Sequence, residues 1–255
     1  MSGQEPGLLV VQPGLQTTVQ DLGRPGFGPM GVSASGAADP VALRLGNLLV
    51  GNAEGAAGLE MTLLGATLRF ECDALIVVTG AEWPVLLDGT SAPTWRRLVV
   101  GSGQTLSVGS GATGARAYLA IKGGVVVPSV LGSSSTHVQS GLGGFAGRAL
   151  RKGDRLGLGR SEGDPIATPV AASGGDSVAT PLAADARLAP LCIAPELLAQ
   201  LRPRKILRVV AGVDRAEFPT SAWTTLLRAA YRVGDQSNRM GLRLEGPPLA
   251  LSVPR

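Results

Sequence analysis

Residues 59–79 read LEMTLLGATLRFECDALIVVT, and this stretch decides the fold. Three apolar runs, Leu59 to Leu63, Ala66 to Phe70 and Leu75 to Thr79, are divided by Gly65 and by Cys72-Asp73. Runs of this length between turn residues predict strands, being too short for helices that bury a face. The same punctuation continues in both directions. Upstream, Leu8 to Val11 closes on Pro13-Gly14, and Leu15 to Gln20 follows with β-favouring Thr17, Thr18 and Val19. Downstream, Val85 to Leu87 ends at Asp88-Gly89, a hairpin signal. Trp95 to Val100, Thr105 to Val108, Ala115 to Ile121, Val125 to Val127 and Arg155 to Leu158 complete the series. Short strands with turns about every 8–12 residues predict a barrel or a sandwich.

One helix interrupts this pattern. Asp39 is placed to cap it, Pro40 suits its first turn, and Gly51 is placed to end it. Val41, Leu45, Leu48 and Leu49 recur at helical spacing and predict its buried face. Residues 160–190 are rich in Ala, Ser, Gly, Asp and Pro, and read as a linker or long loop. Beyond it we expect a helix near Glu196 to Leu201, a strand at Ile206 to Val210 and a helix near Ser221 to Ala230. Strands at 231–233 and 242–244 should flank a loop. The domain reading is therefore 1–165, a linker over 166–190, and 191–255.

Composition bounds the function. The 255 residues carry 37 glycines, 4% aromatic residues and a net charge of +4, with no basic run longer than Arg96-Arg97, so no nucleic-acid stripe is expected. Cys72 and Cys192 stand far apart without a CxxC pattern, which argues against a disulfide framework or a zinc site. The polar start and the lack of a long apolar run predict a cytoplasmic protein with no membrane segment. No P-loop is present, and His137 is the only histidine. None of Lys122, Lys152 and Lys205 has an Ala-Met-Lys-Met-like setting, so this chain is not expected to carry biotin.

Three polar clusters remain. Gln20, Asp21 and Arg24 lie at a strand end, where Arg24 either clamps a carboxylate through two parallel hydrogen bonds or pairs with Asp21. Ser35 and Asp39 precede a helix whose free N–H groups can seat a small anion, with Asn47 further along the same element. An ordinary N-cap and a structural amide are the plain alternatives. Ser133 and Ser135, with Arg148 beyond, can hold a carboxylate or phosphate or simply make a polar turn. The segment with Asn238 and Arg239 is similar.

In order, TTVQDLGR (17–24), SGAADP (35–40), LVGN (49–52), Leu59-Glu60, YLAIKGG (118–124), LGSSST (131–136), GGFAGRAL (143–150) and QSNRMGLRLEG (236–246) resemble one family. It covers the C-type subunit of 5-oxoprolinase (PxpC, formerly called allophanate hydrolase subunit 2), KipA-like proteins and the matching half of the carboxyltransferase region of urea carboxylase, subdomains A and B. The resemblance implies a mainly β fold of two cyclophilin-like β-barrels with a few short helices. Family members continue past the RLEGPP segment, so the second barrel is expected to be incomplete and the chain truncated.

The resemblance also implies two partners, one a B-type or KipI-like protein and the other an A-type 5-oxoprolinase component. The complex would open 5-oxoproline to glutamate at the expense of ATP, which is bound by a partner or at a shared site. A related biotin-dependent carboxyltransferase half is the neighbouring reading, with biotin only on a partner and no metal. The alternative is a non-catalytic KipA-like antagonist of a KipI-like kinase inhibitor. For the enzyme, Asp21, Arg24 and Asp39 are the expected catalytic residues. Gln20, Ser35, Asn47, Ser133, Ser135, Arg148, Asn238 and Arg239 are expected to bind a small carboxylate or amide.

Overall fold

The computed structural model describes residues 7–159, 191–201, 206–237 and 241–252. The expected linker at 166–190, and the residues Asn238 and Arg239, lie outside the described residues. In chain order the strands of the first part are β1 (Gly7–Gln12), β2 (Gln16–Gln20), β3 (Gly58–Thr62), β4 (Thr67–Phe70), β5 (Ala74–Gly80), β6 (Val85–Leu87), β7 (Thr90–Ala92), β8 (Leu98–Val100), β9 (Thr105–Val108), β10 (Arg116–Ile121), β11 (Val125–Val126) and β12 (Arg155–Leu158). They form a seven-stranded sheet in the order β11-β12-β1-β4-β9-β6-β7 and a five-stranded sheet in the order β2-β3-β10-β5-β8, with every pairing antiparallel.

The mainly β expectation holds. Closure is not seen among the described residues: each strand order is linear, and in place of a closed barrel stand two open sheets sharing one core. Alternation explains the packing. Leu8, Val10, Leu68, Phe70, Leu106 and Leu156 of the larger sheet join Val19, Leu59, Met61, Ile76, Val78 and Leu119 of the smaller in one buried cluster. Asp88 and Gly89, at φ 47° and 80°, make the two-residue hairpin that the sequence predicts between β6 and β7.

Helix α1 (Pro40–Val50) covers the outer face of the five-stranded sheet, burying Leu75 and Val77 of β5 beneath it. Asp39 caps it by accepting from the Ala42 N–H at 3.0 Å, and Gly51 ends it at φ 77°, as expected. Its buried face differs from expectation. Ala42, Leu43, Gly46, Asn47, Leu49 and Val50 face inward, whereas Val41 and Leu48 are about half exposed. Close approach explains the shift. A Cβ on Gly46 would lie 3.2 Å from Ala120 Cβ and 3.2 Å from Thr79 Oγ1, so helix and sheet touch most closely at Gly46 and the residues sharing its face, Leu43, Leu49 and Val50 among them, are the ones buried.

The chain divides into two compact units, 1–203 and 204–255. Within the first, residues 191–193 pair antiparallel with the chain just before β8: Arg96 bridges Cys192, and the Arg97 N–H donates to Leu191 O at 3.1 Å. Helix α2 (Pro195–Leu201) follows, placing Leu198 and Leu201 against Leu43, Trp95 and Tyr118. The second unit holds a 3-10 turn at Val213–Glu217, α3 (Thr220–Arg228) and the ladder β13 (Arg232–Val233) with β14 (Leu244–Glu245). The strand expected at Ile206 to Val210 does not form. No described segment pairs with it, and its apolar side chains stay exposed.

Candidate functional site

The polar loops singled out in the sequence meet at one end of β2. After Gln20, the chain runs antiparallel to the loop before α1: the Arg24 N–H donates to Ala34 O at 2.7 Å and the Ala37 N–H to Asp21 O at 2.8 Å. The serine loop arrives from the other side, with the Thr136 N–H donating to Val19 O at 3.0 Å. Asp21 then gathers four donors: the hydroxyls of Ser133 (2.7 Å) and Ser135 (2.5 Å) and the N–H groups of Gly23 (2.7 Å) and Ser134 (2.6 Å). Burial alone would push its carboxyl up. The hydrogen bonds from Ser135, Ser133, Gly23 and Ser134 outweigh that and hold it below the usual carboxylate range.

Arg24 is buried in the same cluster. It donates to Val130 O (3.2 Å), Ser35 Oγ (3.1 Å) and Ser135 O (2.5 Å), and Asp21 and Arg24 form no ion pair with each other. Gly143 closes over it at φ 67°; a Cβ there would lie 2.7 Å from Arg24 Nη2 and 2.3 Å from Ser135 O. Gln20 is also buried. Its amide Nε2 donates to Thr18 Oγ1 at 3.0 Å and to Thr136 O at 3.1 Å, while Oε1 has no hydrogen-bond partner. Six expected residues, Gln20, Asp21, Arg24, Ser35, Ser133 and Ser135, are thus brought together, mostly engaged by protein groups.

The other expected residues lie elsewhere. Asn47 donates to Glu54 O and Ala56 O and accepts from Asn52 Nδ2, tying α1 to the loop that follows it. Arg148 makes a two-pronged bond to Asp154 (2.7 and 2.9 Å) and stacks on Phe145, 5.1 Å from its ring centroid. Those bonds lower the Asp154 carboxyl and raise the Arg148 guanidinium. His137 Nδ1 pairs with Ser140 Oγ at 2.6 Å inside a 3-10 turn. No group of three His, Cys, Asp or Glu residues is placed to hold a metal among the described residues.

Asp39 is exposed, and it borders a cleft of about 290 Å³. The start of α1, the chain after β5, the entry to β10 and helix α2 form the walls, which include Glu82, Trp95 and Arg116. Behind the cleft runs a buried polar row. Register places Thr18, Glu60, Tyr118 and Thr79 side by side across β2, β3, β10 and β5, under α1. Tyr118 Oη donates to Glu60 Oε2 (2.9 Å) and accepts from the Asp39 N–H (2.7 Å). The Ala38 N–H donates to Glu60 Oε2 (2.8 Å), Arg116 Nε lies 3.5 Å from Glu60 Oε1, and Thr79 Oγ1 donates to Ala42 O (2.8 Å). Burial first, and the Glu60 charge next, push the Tyr118 hydroxyl up, so it stays a neutral donor.

Sequence reasoning did not assign Glu60, Trp95, Arg116 or Tyr118 to the site. For Glu60 a signal existed: a charge between Leu59 and Met61 in an otherwise apolar strand.

Residues 30–253 match the family of the carboxyltransferase domain, subdomain A and B. The chain is 37% identical over 248 residues to the C-type subunit of 5-oxoprolinase from Escherichia coli (strain K12), covering 97% of this chain and 71% of that protein. It is 33% identical over 243 residues to urea amidolyase of Saccharomyces cerevisiae, covering 93% of this chain but 12% of that much longer protein. The crystal structure of the K. lactis urea amidolyase superposes with a TM-score of 0.79 at 30% identity, over 98% of this chain and 14% of that one.

Proposed function

The chain belongs to the family of carboxyltransferase domains, subdomain A and B, and from that premise we propose that it is one component of an ATP-dependent complex that opens 5-oxoproline to glutamate. The carboxyl-transfer reading, with biotin carried by a partner, is the neighbouring chemistry on the same scaffold. The relatives' names are those of enzymes, which favours either reading over a KipA-like antagonist. In the 5-oxoprolinase reading, A-type and B-type partners complete the complex, and ATP is bound on a partner or at a shared site.

One observation carries the reading. Asp39 stands at the mouth of a cleft of small-molecule size, and its backbone is pinned to Tyr118 and, through Ala38, to Glu60. A fixed carboxylate beside an amide can move a proton at the amide nitrogen as the ring opens. Its second oxygen is not used in the cap, which engages Oδ1. Asp21 and Arg24 act behind it by locking the loops at 20–24, 33–37 and 133–136 into one body, so that the cleft is preorganised.

The test is reconstitution with A-type and B-type 5-oxoprolinase components, followed by ATP-dependent release of glutamate from 5-oxoproline. Asp39→Asn keeps an oxygen to cap α1 and removes the charge. It should lower kcat by about a hundredfold or more with little change in Tm. Turnover equal to the wild-type complex would remove Asp39 from the mechanism.

A further inference from the structure

We propose that Arg116 receives the carbonyl oxygen of an amide or lactam substrate in the cleft, and that buried Glu60 is the residue that positions it. The proposal rests on reading the cleft as a substrate seat. Arg116 is the first residue of β10 and part of the cleft wall, with its side chain 22% exposed. Behind it, Glu60 is 1% exposed and its Oε2 is held by both Tyr118 Oη and the Ala38 N–H. With Oε2 fixed, Oε1 is aimed at Arg116 Nε, 3.5 Å away. That approach is an ion pair without a hydrogen bond, Nε having no hydrogen-bond partner among the described residues, and Arg116 Nη1 donates to its neighbour's carbonyl, Ala115 O, at 3.0 Å. A guanidinium tethered from behind and partly open in front is a preorganised donor for an oxygen.

Charge selects the class of ligand. Asp39 and Glu82 border the same cleft, and Glu60 stands behind its arginine. Such a wall disfavours a phosphate. It suits a group with one acceptor oxygen for Arg116 and an N–H donor for Asp39. An amide, lactam or ureide has that pattern. Trp95 gives an independent sign. It lines the cleft at φ 58°, a conformation costly for a bulky side chain, and its buried Nε1 has no hydrogen-bond partner. Backbone strain at a residue of the cleft wall marks a place where a ligand is received.

The experiment uses the full chain and reads Trp95 fluorescence, with Trp95→Phe to assign the signal. The probes are 2-pyrrolidinone, 5-oxoproline, urea and inorganic phosphate. The lactams and urea should bind and phosphate should not. Arg116→Ala should weaken lactam binding by about tenfold to a hundredfold, the range for a hydrogen bond to a charged group. Arg116→Lys should recover part of it. Glu60→Gln keeps the shape of the side chain and removes its charge; it should raise KM in the reconstituted complex several-fold while kcat changes little. A merely structural Glu60 would instead lower the amount of active complex with KM intact. Lactam binding by Arg116→Ala and Arg116→Gln equal to wild type, tighter binding of phosphate, or no binding of any probe overturns the proposal. An Arg116→Ala complex that turns over 5-oxoproline with unchanged KM overturns it while leaving the proposed function standing. Arg116-dependent lactam binding by a chain whose complex shows no turnover does the reverse.

Discussion

Ser135 Oγ lies 2.5 Å from Asp21 Oδ1 across 114 residues of chain, and this bond closes the network that joins the serine loop to the end of β2. Asp21 accepts four hydrogen bonds at 8% exposure, three on Oδ1 and the one from the Ser134 N–H on Oδ2, so an asparagine there removes the charge from a buried cluster of donors and turns an amide NH2 toward the Ser134 N–H. Asp21→Asn should destabilise the first unit by about 2–4 kcal/mol, read as a shift in urea midpoint at constant slope.

The same carboxylate gives a pH signature. Its folded value lies below the ordinary 3.8, so the unfolded chain binds its proton first as pH falls. The stability it contributes is present above about pH 4 and disappears as pH drops through the lowered folded value. Asp154, lowered by its bonds to Arg148, acts in the same direction. Urea midpoints from about pH 7 to about pH 3 should fall less steeply in Asp21→Asn than in wild type, and Asp154→Asn separates the second contribution. Parallel curves for all three chains would remove both groups from the account.

Gly143 tests how tightly the lock is packed. Alanine there would place its Cβ 2.3 Å from Ser135 O and 2.7 Å from Arg24 Nη2, in a left-handed backbone. Gly153 is also left-handed, at φ 89°, but a methyl carbon there would meet no atom within 4 Å. Gly153→Ala should cost only the conformational penalty of about 1 kcal/mol. Gly143→Ala should cost about 3 kcal/mol or more, because backbone must move. Equal costs would mean that the loop over Arg24 yields freely.

The strands and the helix bounds were legible because each depends on local signals, namely turn residues, caps and the period of apolar residues, whereas the polar residues at the end of β2 were named from residue type and the family resemblance. What escaped depends on neighbours. Glu60 and Tyr118 are 58 residues apart, and only the register of β3 with β10 puts them side by side. Arg24 and Asp21 read as a pair by proximity in sequence, yet most of the bonds each side chain makes go to residues more than 100 positions away. Arg148 reads as a companion of the serines, but Asp154, six residues on, takes it. The Ile206 to Val210 run has strand composition without a described strand to pair with, and composition alone makes no ladder.

The helix face is set by where α1 meets the sheet. Leu48 is 49% exposed and Leu43 is fully buried, although the apolar spacing favours the former. Leu43→Ala should cost about 2–5 kcal/mol, the range for an emptied core site. Leu48→Ala should stay within about 1 kcal/mol of wild type. Chemical denaturation of the full chain distinguishes them, and a large loss at Leu48 would mean that another surface covers α1.

Tyr118 links the buried row to the cleft, and its removal should be felt at both. Tyr118→Phe deletes the donor to Glu60 and the acceptor for the Asp39 N–H, at a cost of about 1–3 kcal/mol. The wild-type hydroxyl is pushed up from its ordinary 10.0 by burial and by the Glu60 charge. Because the folded value is raised, the unfolded chain loses this proton first as pH climbs. The stability tied to Tyr118 is complete below about pH 10 and declines above it. Tyrosinate absorbance should therefore show one of the two tyrosines ionising only as the chain unfolds, and that late step should vanish in Tyr118→Phe. Ionisation of Tyr118 before any loss of structure would show that the Glu60–Tyr118 row is open to water, and with it the wall that carries Arg116.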